Sequence, residues 1–180
     1  MRNLNNIDPG DVCAVAGIGG LGHLAIQYAK KFGYRTVALS SSPSKQDLAT
    51  ELGAHVYIDQ SSQDAVEELK KLGGAKLIVV TAPGGDIAKL LDGLAFDGTL
   101  LIVSILHEPL QVNTLSLISK RSQIRGWPCG TQADIEDTLN FSALTNTKPL
   151  VQTYTIDQAR QAYEDMKSGK SRFRAVIVFD

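Results

Sequence analysis

Short apolar runs alternate along the chain with stretches in which apolar residues recur every three or four positions. The first run, Val12–Ala16, lies between Gly10 and Gly17 and is too short for a helix, which is typical of a strand buried on both faces. Over Leu21–Phe32 the apolar spacing predicts a helix with one buried face, and Gly33 stands where a C-terminal cap belongs. A strand followed by an amphipathic helix therefore opens the fold.

The same alternation continues through most of the chain. Strands that alternate with helices of about ten residues imply right-handed crossovers and a parallel sheet covered by helices on both faces. We therefore predict an α/β fold of the Rossmann type, with a doubly wound, parallel, six-stranded sheet. The predicted strands are Val12–Ala16, Thr36–Ser40, His55–Ile58, Leu77–Thr81, Thr99–Ser104 and Ile124–Trp127. The predicted helices are Leu21–Phe32, Ser44–Leu52, Asp64–Leu72, Ile87–Leu94 and Ala133–Leu144.

The pattern changes after Leu106, where the chain adds elements outside the regular alternation. Leu110–Val112 is predicted to form an edge strand, Asp157 to cap a further helix, and Ala175–Phe179 to close the chain as a strand. We therefore divide the chain into a main domain over residues 1–149 and a C-terminal helix–strand return segment over residues 150–180.

The strongest functional motif lies between the first strand and the first helix. It matches G-x-G-x-x-G, and the surrounding strand–helix–strand unit has the length of about 30 residues that the motif requires. The first glycine permits a tight turn, the second lets the backbone approach a pyrophosphate, and the third lets the helix pack closely on the strand. We predict a dinucleotide site here, the alternative being a glycine turn that binds nothing. Its residues are Gly17, Ile18, Gly19, Gly20, Leu21 and Gly22.

The residues after the second strand bear on which dinucleotide is bound. An NAD-preferring site has an acidic residue there, but this chain has Ser40, Ser41, Ser42 and Lys45, with no carboxylate before Asp47. Hydroxyl donors and a cation suit a 2′-phosphate, whose oxygens only accept hydrogen bonds. We therefore predict NADP(H) as the cofactor, the alternative being a serine-rich turn with a solvated lysine.

Composition and charge exclude several classes of function. The chain has 18 Lys and Arg against 19 Asp and Glu, a formal net charge of -1, which favours neither nucleic acid nor an anionic membrane as a partner. No apolar run approaches the roughly 18 residues that span a bilayer. The two cysteines, Cys13 and Cys129, cannot build a disulfide scaffold, so a cytoplasmic protein is expected.

The run VCAVAGIGGLGHLAIQYAKKFG, together with Leu52-Gly53-Ala54 and the closing GKSRFR, resembles the cofactor half of the medium-chain dehydrogenase/reductases. Within them it is most similar to zinc-dependent alcohol dehydrogenases of the cinnamyl-alcohol-dehydrogenase type, over essentially all 180 residues. The resemblance implies that the return segment packs with a catalytic domain. It also implies further cofactor contacts: Thr81 and Ala82 near the adenosine, Val103, Ser104 and Ile105 near the nicotinamide, and Arg174, or else Arg172, on the pyrophosphate.

The chain departs from that family in its metal ligands. His23, His55 and His107 have no metal-ligand spacing between them, so we predict no metal site and no catalytic residue here. Zinc is expected only in an absent catalytic domain, where it would polarise the carbonyl of an alcohol or aldehyde substrate. We therefore expect an excised domain or a truncated enzyme that is inactive alone. The alternatives are the cofactor domain of a zinc-free quinone or enoyl reductase, and a non-catalytic NADPH-binding dimerisation module.

The resemblance also implies a homodimer, because cofactor domains of this family pair through edge strands. Leu110–Val112, with the nearby Leu115, Leu117 and Ile118, is the edge that we expect to pair.

Overall fold

In the computed structural model, which describes residues 1 and 4–179, six parallel strands form one sheet. Across the sheet their order is β3-β2-β1-β4-β5-β6, the order of a dinucleotide-binding Rossmann domain, and the predicted fold is confirmed. The strands are β1 (Val12–Ala16), β2 (Arg35–Ser40), β3 (Val56–Asp59), β4 (Ala75–Val80), β5 (Leu94–Ile102) and β6 (Gln123–Gly126).

Within the described residues, six α-helices and three short 3-10 helices connect and flank the strands. The α-helices are α1 (Gly22–Lys31), α2 (Gln46–Glu51), α3 (Ala65–Lys71), α4 (Thr114–Ile118), α5 (Gln132–Thr145) and α6 (Ala159–Lys167). The 3-10 helices are Pro43–Lys45, Lys89–Gly93 and Ile156–Gln158. None of the helices in the described part of the chain is both long and apolar enough to cross a membrane.

The two faces of the sheet bury alternate residues of the same strands, because successive side chains of a strand point to opposite faces. Ala14 of β1 packs in the cluster that contains Leu69 of α3. Val15, its neighbour along β1, packs in the cluster that contains Ile26 of α1. Cys13 is fully buried, as expected of a small apolar core residue, and burial raises the pKa of its thiol to about 12. Helices therefore cover both faces of the sheet.

Three predicted elements are wrong. The helix predicted over Ile87–Leu94 is only a 3-10 turn, because Leu94 already pairs with Ala75 in the sheet and the connection must end before it. Leu110–Val112 forms no strand, since its two apolar side chains pack against the core instead of lining an edge. Asp157 does not cap the last helix, because it lies inside the 3-10 helix that precedes α6.

A fourth correction concerns the turn after β2. Ser44 was expected to open a helix there, but the N-cap residue is Ser42. The Ser42 hydroxyl accepts a hydrogen bond from the Ser44 backbone N–H at 3.2 Å. Pro43 follows in the first helical position, where its fixed φ is favourable. The turn therefore begins as a 3-10 helix, and α2 starts only at Gln46.

The return segment forms a second, two-stranded sheet. The closing strand, β8 (Arg174–Val178), pairs in parallel with β7 (Val151–Thr155), and α6 connects the two. The pattern of apolar residues did not predict β7, because its residues VQTYT form neither a continuous apolar run nor a strict alternation of apolar and polar positions. Tyr154 is its buried residue, and the Tyr154 hydroxyl donates to Asp165 Oδ2 at 3.0 Å.

Candidate functional site

The glycine loop between β1 and α1 is the centre of the candidate site. Gly17 has a φ of +98°, which L-residues with a side chain rarely adopt. A Cβ on Gly17 would also lie 2.6 Å from the Ala82 Cβ. The backbone of Gly17 is held in place because its N–H donates to the Leu39 carbonyl at 3.0 Å. The loop therefore turns sharply against the end of β4.

The third glycine of the motif makes the closest approach in the loop. A Cβ on Gly22 would overlap the carbonyl oxygen of Gly17 and lie 2.9 Å from Thr81 Oγ1. Gly19 is different, because a Cβ there would meet nothing within 4 Å. Gly17 and Gly22 are thus required by the fold itself, whereas the absence of a side chain at Gly19 leaves open space above the loop.

The two residues of the loop that are not glycine have different exposures. Ile18 is 3% exposed and packs in the core cluster beside α1, so only its backbone can face a ligand. Leu21 is 45% exposed.

Thr81 and Ala82, at the carboxyl end of β4, lie against the loop. The Thr81 hydroxyl donates to the carbonyl oxygens of Ala16 and Gly17, each at 3.0 Å, and the Thr81 backbone N–H donates to Ala16 at 2.9 Å. Two segments that are 64 residues apart in sequence are therefore locked together at one edge of the sheet.

The serine-rich turn after β2 is joined to the same loop through Lys45. Lys45 Nζ donates to the Ile18 carbonyl at 2.9 Å, and burial, with a smaller contribution from Arg172, lowers the pKa of this amine. Among the serines, Ser40 is buried, Ser41 is exposed and the Ser42 hydroxyl is engaged in capping. Lys45 is thus a partly buried cation at the loop and not a fully solvated surface charge.

Arg174, at the start of β8, places its guanidinium beside Gly20 of the loop. The Arg174 Cζ atom lies 3.0 Å from the position that a Cβ would take on Gly20. Arg172 is placed differently, since its guanidinium lies 5.9 Å from the centre of the Phe173 ring. Of the two arginines that the sequence left open, Arg174 is the one in contact with the glycine loop.

The remaining predicted segment follows β5. Val103 N–H donates to the Val80 carbonyl at 3.1 Å and Ser104 Oγ donates to the same oxygen at 3.4 Å, so both residues lie at the carboxyl end of β4. Ile105 is 88% exposed. The segment therefore belongs to the same edge of the sheet as the glycine loop.

His23 is a residue at this site to which the sequence assigns no ligand and no catalytic role. It is fully buried, its Nδ1 lies 2.9 Å from the Gly19 carbonyl oxygen, and its Nε2 accepts from the Leu150 N–H at 3.0 Å. Its ring stacks on Phe173 with 4.9 Å between the ring centres. In the sequence, the indication that His23 belongs to the site is its position directly after the glycine motif. Its long-range partners are visible only in the structure.

The electrostatics of the site favour an anion. The N-terminus of α1 carries unpaired backbone N–H groups and the positive end of the helix dipole. Lys45 and Arg174 add two positive side chains at the same loop, and the charge of Arg172 is close enough to Lys45 to lower the pKa of its amine. A diphosphate over Gly19 fits both this charge and the open space. Within residues 1 and 4–179, no group of three or more His, Cys, Asp or Glu side chains is placed to hold a metal ion.

Comparison with known proteins identifies relatives of the whole chain. A family model of zinc-binding dehydrogenases matches residues 20–143. The chain is 47% identical to the alcohol dehydrogenase patD of Penicillium expansum over 178 residues, which cover 98% of this chain and 52% of the relative. It is also 47% identical to the alcohol dehydrogenase notN of an Aspergillus species, covering 100% of this chain and 53% of the relative.

Among solved structures, the chain is similar to a cinnamyl alcohol dehydrogenase of Sorghum bicolor, with a TM-score of 0.82 and 30% sequence identity. The similarity covers 94% of this chain and 48% of the sorghum chain. The present chain thus spans about half the length of the relatives it matches.

Proposed function

This chain belongs to the zinc-binding dehydrogenase family, and we propose that it is the NADP(H)-binding domain of an alcohol dehydrogenase. The main support is one juxtaposition: open space over Gly19 lies beside a guanidinium that rests on Gly20. That arrangement suits the diphosphate of a dinucleotide. The family relationship agrees with the resemblance seen in the sequence.

The proposed roles combine the position of each group in the fold with what the family resemblance implies. The first backbone N–H groups of α1 and the Arg174 guanidinium bind the diphosphate, Thr81 and Ala82 contact the adenosine side, and Val103, Ser104 and Ile105 contact the nicotinamide side. When bound, the cofactor supplies or accepts the hydride that interconverts an aldehyde and an alcohol. The chain's own residues hold and orient that cofactor.

The catalytic zinc and the substrate pocket are proposed to lie outside this chain, whose division into residues 1–149 and 150–180 remains a prediction. The printed names of the relatives support an alcohol or aldehyde substrate for the complete protein. The chain alone is proposed to be inactive. Its two unpaired cysteines support a cytoplasmic location.

The first prediction tests the cofactor. We expect the chain to bind NADPH at least about tenfold more tightly than NADH, because a charge-assisted hydrogen bond to the 2′-phosphate contributes about 1.5–3 kcal/mol. Lys45 and the serine hydroxyls after β2 are the groups that supply it. Ser40→Asp combined with Lys45→Ala should reverse the order, since a carboxylate repels the phosphate and accepts from a free 2′-hydroxyl. Isothermal titration calorimetry of the unaltered chain and of the double variant with both cofactors measures the preference between NADPH and NADH.

A matched control separates this effect from net charge. Lys31→Ala combined with Ser119→Asp makes the same change in charge at two exposed positions and should leave the preference unchanged. Equal affinity of the unaltered chain for NADH and NADPH at low salt would refute the NADP(H) assignment. No detectable affinity for either would refute the proposed function itself.

The second prediction concerns assembly. We propose a homodimer whose interface lies at β6. Leu110–Val112 forms no strand that could pair with a second copy, whereas β6 is an edge strand of the six-stranded sheet. Leu115 and Ile118 are 65% and 73% exposed in the adjoining helix α4. Light scattering should give about twice 19.4 kDa, and Ile118→Lys should shift the mass toward the monomer. A monomer for the unaltered chain at high concentration would exclude the dimer.

A further inference from the structure

His23 connects the glycine loop to the return segment through hydrogen bonds at both ring nitrogens. The Gly19 carbonyl can only accept, so Nδ1 must donate to it, and the Leu150 N–H can only donate, so Nε2 must accept. Only the neutral ring with its proton on Nδ1 satisfies both partners. Burial and the nearby Arg174 charge lower the pKa of this imidazole, while the hydrogen bond to Gly19 opposes them.

The connection continues from Leu150 to Arg174. The Leu150 carbonyl accepts from the backbone N–H groups of Phe173 and Arg174, at 3.0 and 3.1 Å. The Phe173 ring stacks on His23, so the residue directly before Arg174 is held from its side chain as well. The His23 imidazole is thus bonded to the glycine loop, which Arg174 contacts. It is also bonded to Leu150, whose carbonyl holds the backbone of Arg174.

We propose that His23 is a positioning residue, whose neutral imidazole fixes the return segment so that the Arg174 guanidinium is held over Gly20 to bind the cofactor diphosphate. This inference rests on the proposed cofactor function. The His23 side chain is fully buried, so we expect it to act on the cofactor indirectly, through Arg174.

Three substitutions of His23 test the contributions of its ring and of its two hydrogen bonds separately. His23→Phe keeps the size and the stacking on Phe173 but loses both hydrogen bonds, and we expect it to weaken NADPH and NADH binding equally, by about tenfold. His23→Gln keeps an acceptor for the Leu150 N–H and should recover most of that loss. His23→Asn keeps only the bond to Gly19 and should resemble His23→Phe.

A double-mutant cycle with Arg174 distinguishes positioning from a general loss of structure. In an Arg174→Ala background, His23→Phe should change NADPH affinity by less than about twofold, because the group that it positions is gone. An unreduced tenfold loss in that background would overturn the proposal. So would wild-type affinity in His23→Phe itself.

Two measurements on the chain without cofactor keep this inference separate from the proposed function. The imidazole ¹⁵N chemical shifts should show a protonated Nδ1 and an unprotonated Nε2, and the Leu150 amide should exchange with solvent at least about tenfold faster in His23→Phe. A proton on Nε2, or an unchanged exchange rate, would refute the role of His23. Absence of cofactor binding by the unaltered chain, with these two results as expected, would refute only the cofactor function and the positioning of Arg174 that depends on it.

Discussion

Replacing Gly22 with alanine is expected to lower the free energy of unfolding by about 3 kcal/mol or more, the upper part of the range for overpacking. The added methyl would overlap the Gly17 carbonyl oxygen and crowd the Thr81 hydroxyl, and neither can withdraw. Both belong to hydrogen bonds that lock β4 to the loop. Urea unfolding of Gly22→Ala measures the loss, and Gly19→Ala is the matched control, because a Cβ at Gly19 meets nothing.

Gly19→Val should show the opposite pattern, with normal stability and no measurable NADPH binding. Its side chain would project into the open space over the loop, where the diphosphate is proposed to lie. Calorimetry with NADPH measures the loss of affinity. Undiminished binding by Gly19→Val, or equal stability of Gly22→Ala and Gly19→Ala, would contradict this division of roles within one motif.

Removing the Arg174 guanidinium is expected to weaken NADPH and NADH by the same factor, about tenfold to a hundredfold. A diphosphate is common to both cofactors, and a charge-assisted hydrogen bond contributes about 1.5–3 kcal/mol. Calorimetry of Arg174→Ala with each cofactor measures this. Arg174→Lys should recover only part of the affinity, because an ammonium lacks the planar fork that binds two oxygens at once.

Arg172→Ala is the matched control, since it removes the same charge two residues away and leaves the guanidinium over Gly20 in place. We expect it to change affinity less than Arg174→Ala does. If Arg172→Ala has the larger effect, or if Arg174→Ala changes the preference between NADPH and NADH, the diphosphate assignment is wrong.

The sequence by itself was sufficient for the fold and for the position of the glycine loop between β1 and α1. Strand and helix periodicities are local properties, and a buried parallel strand such as β1 has to be apolar on both faces, so its run is visible without coordinates. The glycine motif is visible for a similar reason, because a φ of +98° at Gly17 and the close approach at Gly22 exclude other residue types. The burial of Cys13 could be predicted for the same reason, because this residue lies in β1.

Only the tertiary structure decided the elements whose form depends on distant partners. Ile87–Leu94 has a helical pattern, yet it forms only a short 3-10 helix because Leu94 pairs with Ala75 in the sheet. Leu110–Val112 forms no strand because its apolar side chains pack against the core. The strand β7 has a weak pattern of its own and exists because β8 pairs with it. Tertiary pairing and burial outweigh local preference in each case.

The same distinction applies to the candidate site. The motif identified the loop, but the residues that surround it come from points far apart in the sequence: Lys45 on Ile18, Thr81 on Gly17 and Arg174 on Gly20. His23 shows the limit most clearly, because its partner Leu150 lies 127 residues away. A hydrogen bond depends on distance and direction in space, and these are set only when the return segment has packed against α1 and the glycine loop.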